Sequence, residues 1–128
     1  MTKAELTQRV RAALDGAHEP RARWHVTRWG AGASSHRAGY HLPSHPGRAL
    51  EVRLVYEQAT TAPLRALGPG QWLRYVRAWE VALRGYRRVL EGAGLAVETV
   101  PAPSDATFDE RRRAWPYLLV RPGDEGND

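Results

Sequence analysis

Cysteine is absent from this chain, which removes disulfides, thiolate nucleophiles and Cys-ligated zinc from consideration. Methionine and phenylalanine occur once each, so any aromatic core has to be built from five Trp and five Tyr. Lysine is nearly absent: of the 19 basic side chains, all but Lys3 are arginine. No apolar run approaches the ~20 residues of a membrane span. The opening segment MTKAELTQRV lacks the apolar stretch of a secretory signal and has the form of an amphipathic helix start. The expectation is a cytoplasmic protein with no membrane partner. Catalytic signatures are missing as well. There is no G-x-S-x-G, no H-E-x-x-H, no paired-carboxylate motif and no dinucleotide fingerprint. The Gly30–Ser35 loop has small residues suited to cradling a phosphate. It lacks the Lys-Ser/Thr ending of a P-loop, however, and it precedes a strand rather than a helix. Nothing positive supports an enzyme or a cofactor.

What the chain does contain is enough for one folded domain. Its 128 residues and 42% hydrophobic content allow a core that buries roughly two-thirds of the unfolded surface. The net charge is +5, and residues 1–68 supply the whole excess, with 10 basic against 5 acidic side chains. Arginine in place of lysine has two explanations. Its planar fork suits phosphate recognition. A G+C-rich coding sequence favours Arg together with Ala, Gly and Pro, and this chain is rich in all of them.

The stretch from Gly70 to Gly94 organises the rest. Trp72, Tyr75, Val76, Trp79, Ala82, Leu83, Tyr86, Val89 and Leu90 recur at helical spacing, and Arg77, Glu80, Arg84, Arg87, Arg88 and Glu91 gather opposite them. A helix of about 20 residues is ~30 Å long, enough to cross a small domain. Trp79, near the middle of the apolar arc, is expected to be its most buried side chain, packed on Leu50, Val52, Leu54 and the last two strands.

Thr2-Lys3-Ala4-Glu5 has the capping-box form and predicts a helix over 3–15 that carries Leu6, Val10, Ala13 and Leu14 inward, with Gly16 as its C′ residue. Arg21 to Trp29 alternates as a half-buried strand. Gly30–Ser35 turns, and Arg37 to Leu42 returns as a weaker strand broken by Gly39. Leu50 to Tyr56 is the clearest strand, with Glu51 and Arg53 facing out. Pro63–Leu67 can form a short helical turn, Leu95–Val100 and Trp115–Val120 are further strands, and Pro103–Arg113, polar with one apolar anchor at Phe108, is a loop or a short helix capped by Ser104 or Asp105. The expected fold is an α+β two-layer domain of order α-β-β-β-α-β-β. A mostly antiparallel sheet carries the long amphipathic helix across one face. It spans residues 1–123, with 124–128 as an acidic disordered tail.

Three sets of residues merit weighing as sites. His25, His36, His41 and His45 lie close in sequence, and a hairpin would let His25 approach His36 or His41. Their spacing is loose for the three or four ligands that zinc requires, so no stoichiometric metal is expected. Arg77, Arg84 and Arg88 fall within about 40° of one another on the long helix, flanked by Arg74 and Arg87. The alternative is a solvated face tied up by Glu80–Arg84 and Arg88–Glu91 pairs. Arg111-Arg112-Arg113, next to Asp109-Glu110, is ambiguous in the same way. Arg21, Arg23, Arg28 and Arg37, beside Trp24 and Trp29, form a rival basic surface suited to stacking unpaired bases.

The order helix, three strands, helix over residues 3–92 resembles that of double-stranded-RNA-binding domains. There is no counterpart of their Gly-Pro-x-His loop, and the second helix opens with Gly70-Gln71-Trp72 and carries no Lys. The order is also similar to that of small secretion chaperones, which are dimeric and tend to be acidic. Neither likeness carries a functional residue. Two readings follow. One is a small basic, non-enzymatic binding protein that contacts nucleic acid, an accessory factor of a mobile-element or phage-like system. The other is a structural or adaptor protein acting through protein contacts, as a homodimer, with some of Trp29, Trp72, Trp115 and Tyr117 on an apolar surface patch.

Overall fold

A computed structural model describes residues 1–26, 33–43, 47–57, 69–101, 104–105 and 116–123, at the level of the backbone alone for 23–26, 33–37, 69, 72 and 75. The first helix, α1 (Lys3–Gly16), opens as its sequence requires. Glu5 N–H donates to Thr2 Oγ1 at 3.1 Å, and Thr2 N–H donates to Glu5 Oε1 at 3.3 Å. Leu6, Val10 and Leu14 are fully buried along one stripe. The helix end departs from expectation. Gly16 is still helical, and the residue in the left-handed conformation is His18, at φ 61°. His18 N–H donates to Asp15 O (3.0 Å) and Glu19 N–H to Leu14 O (2.9 Å). This bond pair is the Schellman closure, and it places the C′ residue at 18.

Four strands, not three, separate the two helices. β1 (Arg23–Val26) and β2 (Ala33–Arg37) pair antiparallel as a sheet of their own, with Val26 opposite Ala33. Residues 33–35 therefore belong to a strand and not to the expected turn. β3 (Gly39–His41) is a separate short strand. Gly39 marks the break because the backbone there runs against Pro20–Ala22. Tyr40 N–H donates to Pro20 O at 3.0 Å and Ala22 N–H to Tyr40 O at 2.9 Å. A Cβ on Gly39 would sit 2.3 Å from Pro20 O, so only glycine fits.

β4 (Val52–Glu57), α2 (Pro69–Gly92), β5 (Leu95–Val100) and β6 (Tyr117–Pro122) complete the domain. The main sheet has the order β3-β4-β6-β5, every neighbour antiparallel. The last strand in the chain lies inside, so Val120 faces Val52 on one side and Val97 on the other. Because β4 and β5 both run antiparallel to β6, they are parallel to each other, and α2 is the crossover that parallel strands need. Both helices pack on one face of this sheet and touch each other. The result is the expected two-layer α+β arrangement.

The core between the layers joins Leu6, Val10 and Leu14 of α1 to Trp79, Leu83, Tyr86 and Leu90 of α2, above Val52, Leu54, Leu118 and Val120. Trp79 is buried, but at 4% exposure it is not the extreme expected of it: Leu90 is at 0%. Tyr86 lies edge-on to Tyr40 (centroids 6.2 Å, 79°) and tilted against Tyr56 (6.3 Å), geometry that aromatic quadrupoles favour. Tyr40 also ties the end of α1 to β3. Its hydroxyl donates to Asp15 Oδ1 at 2.7 Å, and Arg21 donates to both Asp15 carboxylate oxygens and to the Tyr40 oxygen. The bonds from Arg21 and then Tyr40 hold the Asp15 carboxyl below its ordinary range. On the opposite face of the sheet, Arg121 of β6 bridges Glu51, just before β4, and Glu98 of β5, and the Arg53 guanidinium stacks 4.4 Å from the Tyr117 ring centroid. Among the described residues, no helix is long and apolar enough to cross a membrane. The Pro63–Leu67 turn, Phe108, Arg111 to Arg113 and the 124–128 tail lie outside the described residues.

Candidate nucleic-acid interface

α2 holds its arginines in place because its other side is fixed. Trp79, Leu83, Tyr86 and Leu90 are locked into the core, so the residues half a turn away point outward. Arg74, Arg77, Arg84, Arg87 and Arg88 are all exposed. At 1.5 Å per residue, Arg77 and Arg84 are separated by about 10 Å along the axis and Arg84 and Arg88 by about 6 Å. The expected Glu80–Arg84 and Arg88–Glu91 pairs do not form. Glu91 instead takes Arg87, four residues earlier, and Arg87 Nη1 also donates to Thr99 Oγ1 on β5 at 3.1 Å. The second contact decides the choice: Arg87 lies on the flank of α2 that overlooks β5, so one guanidinium serves both acceptors. Among the described residues, no carboxylate pairs with Arg74, Arg77, Arg84 or Arg88.

The same surface has features that residue counting overlooks. Arg9 of α1 donates to Ala93 O at 3.4 Å, just beyond the C-terminus of α2, where a cation also meets the negative end of the helix dipole. Its place outside the Leu6–Val10–Leu14 stripe is readable from the sequence, but its neighbour is not. Leu73 and Val81 stand exposed among the arginines, at 50% and 62%. Gly85 follows Arg84, and a Cβ placed on it meets nothing within 4 Å.

The rival hairpin surface is only partly in view. Arg23 and Arg37 are Cα partners in the β1–β2 register, so the hairpin does bring two cationic positions together. Their side chains, those of Trp24 and Trp72, and the whole of Arg28, Trp29 and Trp115 lie outside the description. Arg21 is not available, being held by Asp15 and Tyr40.

The histidines do not converge in the register. His25 is opposite Ser34, and His41 belongs to the other sheet, opposite Val55. His41 is half-buried, and burial pushes its imidazolium toward the neutral form. His36 sits on β2 at backbone level only, and His45 lies outside the described residues. No three His, Asp or Glu side chains among the described residues are placed to share a metal. Glu57 is two residues beyond the partner of His41, so the two are diagonal neighbours on β3 and β4. Burial alone raises the Glu57 carboxyl to about 7. A cavity of about 170 Å³ opens between the start of α1 and the ends of β3 and β4, lined by Lys3, Thr7, Leu42, Glu51 and Arg53 among others. Its charges are of both signs and partly engaged, Lys3 with Gly47 O and Glu51 with Arg121.

No protein-family model matches the chain, and no curated protein or solved structure is detectably similar to it.

Proposed function

We propose that this protein is a non-enzymatic binding protein whose ligand is nucleic acid, held through its phosphates on the outer face of α2. The observation that carries the reading is the row Arg74, Arg77, Arg84 and Arg88, exposed and without carboxylate partners among the described residues, while Glu91 is spent on Arg87. A solvated face neutralised by its own glutamates is the ordinary fate of such a helix, and here the pairing that would neutralise it is not made. Guanidinium groups match phosphate oxygens in a bidentate way. A rigid rod of them supplies the sequence-independent part of nucleic-acid affinity. The net charge of +5 acts in the same direction, raising encounter rates with polyanions. An accessory role in a mobile-element or phage-like system fits such a protein.

Fluorescence anisotropy at low salt tests this with two variant sets. Replacing Arg77, Arg84 and Arg88 together by Gln should abolish most binding while leaving the circular dichroism spectrum unchanged. Replacing Arg23, Arg28 and Arg37 should do little. The reverse pattern moves the site to the hairpin, and no binding by the wild type rejects the reading.

A second reading rests on the exposed Leu73 and Val81, which also suit a protein contact. Under it the protein is an adaptor or homodimer. Val81→Glu should then convert a concentration-dependent solution mass into that of a monomer.

A further inference from the structure

The main sheet has two outer strands, and they are finished differently. β3 is paired along its outer side by the chain before β1. Tyr40 N–H donates to Pro20 O, Ala22 N–H donates to Tyr40 O, and a parallel bridge joins Arg21 to Tyr40. β5, at the other end of the order β3-β4-β6-β5, pairs only with β6 among the described residues. Ala96, Glu98 and Thr99 along it are exposed. Alternate residues of an edge strand turn their N–H and C=O groups away from the sheet, which makes the edge a template for another chain. Proteins blunt such edges with Lys, with Pro, with a bulge or by keeping the strand very short. Leu95–Val100 uses none of these. It is six residues long, its register with β6 runs without a shift, and its one charge, Glu98, is held by Arg121.

We infer that β5 is the interface with a second copy of this chain, paired antiparallel about Val97. The inference goes beyond both readings above and needs neither. Self-pairing is restricted by the pleat. Residues opposite one another in a ladder share a face, so two identical strands related by a two-fold axis centre on a residue and not between two. Centring on Glu98 sets two carboxylates directly opposite, which is destabilising. Centring on Val97 sets Val97 against its own copy, Leu95 against Thr99, and Ala96 against Glu98. This register is also complementary in charge. Ala96 is the Cα partner of Arg121 on β6, so across the seam the row reads Arg121, Ala96, then Glu98 of the second copy. The alanine methyl leaves the space between that guanidinium and that carboxylate open. Arg121 and Glu98 of the two copies thus alternate in sign on the face of the sheet away from the helices. On the other face the seam meets at Val97, which already packs against the core. A two-fold axis perpendicular to the sheet keeps the helices of both copies on that face and joins two four-stranded sheets into one.

Sedimentation of the full chain across a concentration series should show a monomer giving way to a dimer. Ala96→Glu puts a carboxylate opposite Glu98 of the second copy, on both sides of the two-fold axis, and should weaken association by roughly tenfold. Within one chain the new carboxylate lies beside Arg121, so the melting temperature should not fall. Adding Glu98→Lys to Ala96→Glu gives each pair opposite charges and should restore the dimer, a response that a nonspecific contact does not produce. Because the chain has no cysteine, the register can be read directly. Val97→Cys should give a disulfide-linked dimer under mild oxidation, since Cβ atoms of directly opposite residues lie about 4.5–5.5 Å apart. Glu98→Cys, diagonal to its own copy, should link poorly. A strict monomer at the highest concentration, without cross-linking of Val97→Cys, overturns the inference. A dimer that ignores Ala96→Glu and is dispersed by Val81→Glu places the contact on α2 and overturns it equally. Cross-linking through Glu98→Cys in preference to Val97→Cys overturns the register.

Discussion

Glu57 makes the stability of this protein depend on pH in an unusual direction. It ends β4 opposite Gly39, half-buried, and burial raises its carboxyl from the ordinary 4.5 to about 7. In the folded chain the proton is therefore retained where the unfolded chain has released it. Stability from this group is fully present below pH 4.5 and is lost as pH rises toward 7, because the folded state binds more protons over that interval. At about 1.4 kcal/mol per pH unit, the loss amounts to about 3 kcal/mol, a large share of a small domain's stability. Glu57→Gln keeps the shape and removes the charge. It should unfold at nearly the same urea concentration as wild type at pH 4.5 and be about 3 kcal/mol more stable at pH 8. His41 works in the opposite sense. Its lowered value means that the unfolded chain takes up the extra proton first, so its contribution is lost as pH falls below about 6.5. Comparing wild type with Glu57→Gln at each pH removes the part of this that does not depend on the neighbouring Glu57 charge, since both chains contain His41. Urea denaturation from pH 4.5 to pH 8 measures the difference directly. Parallel stability curves, or a variant less stable than wild type at pH 8, would refute the argument that this carboxyl is desolvated without compensation.

Other consequences are simpler to check. Trp79→Ala empties a core position between α2 and the sheet and should cost about 3–5 kcal/mol, seen as a large fall in the urea midpoint; a midpoint near that of wild type would contradict its burial. His18→Gly relieves a non-glycine residue at φ 61° and should stabilise the fold by about 0.5–1 kcal/mol, measured as a higher melting temperature. His18→Ala should gain nothing, and equal gains from both variants would argue against the left-handed assignment.

The elements legible in the sequence are those set by local rules. The capping box at Thr2–Glu5, the period of α2 and the alternation of Val52 to Tyr56 each depend on residues within a turn or two of one another. What was not legible depends on contacts distant in sequence. The break expected at Gly39 in the strand over Arg37–Leu42 is there, but its cause, the Pro20–Ala22 backbone lying against Gly39, is a contact distant in sequence. His18 replaces Gly16 as the C′ residue because Arg21 and Tyr40 hold Asp15 and the closing bonds fall at 18 and 19. β6 enters the middle of the sheet because its valine and leucines can face apolar residues on both sides, which an edge strand would waste. The candidate site divides in the same way. The arginine row follows from helical spacing alone. Its freedom from carboxylates does not, since that depends on Thr99 of β5 drawing Arg87 toward Glu91. Arg9 beside Ala93 is likewise visible only once the helices are packed.

The salt dependence of DNA-duplex affinity tests the central claim most directly, because each phosphate neutralised by an arginine releases counterions in a countable way. With Arg74, Arg77, Arg84 and Arg88 engaged, the log–log slope for the wild type should be about −3 to −4. Replacing Arg77, Arg84 and Arg88 by Gln should flatten it by about 2.7. An unchanged slope in that variant, or a flattening caused instead by the Arg23, Arg28 and Arg37 substitutions, would contradict the placement of the interface on α2.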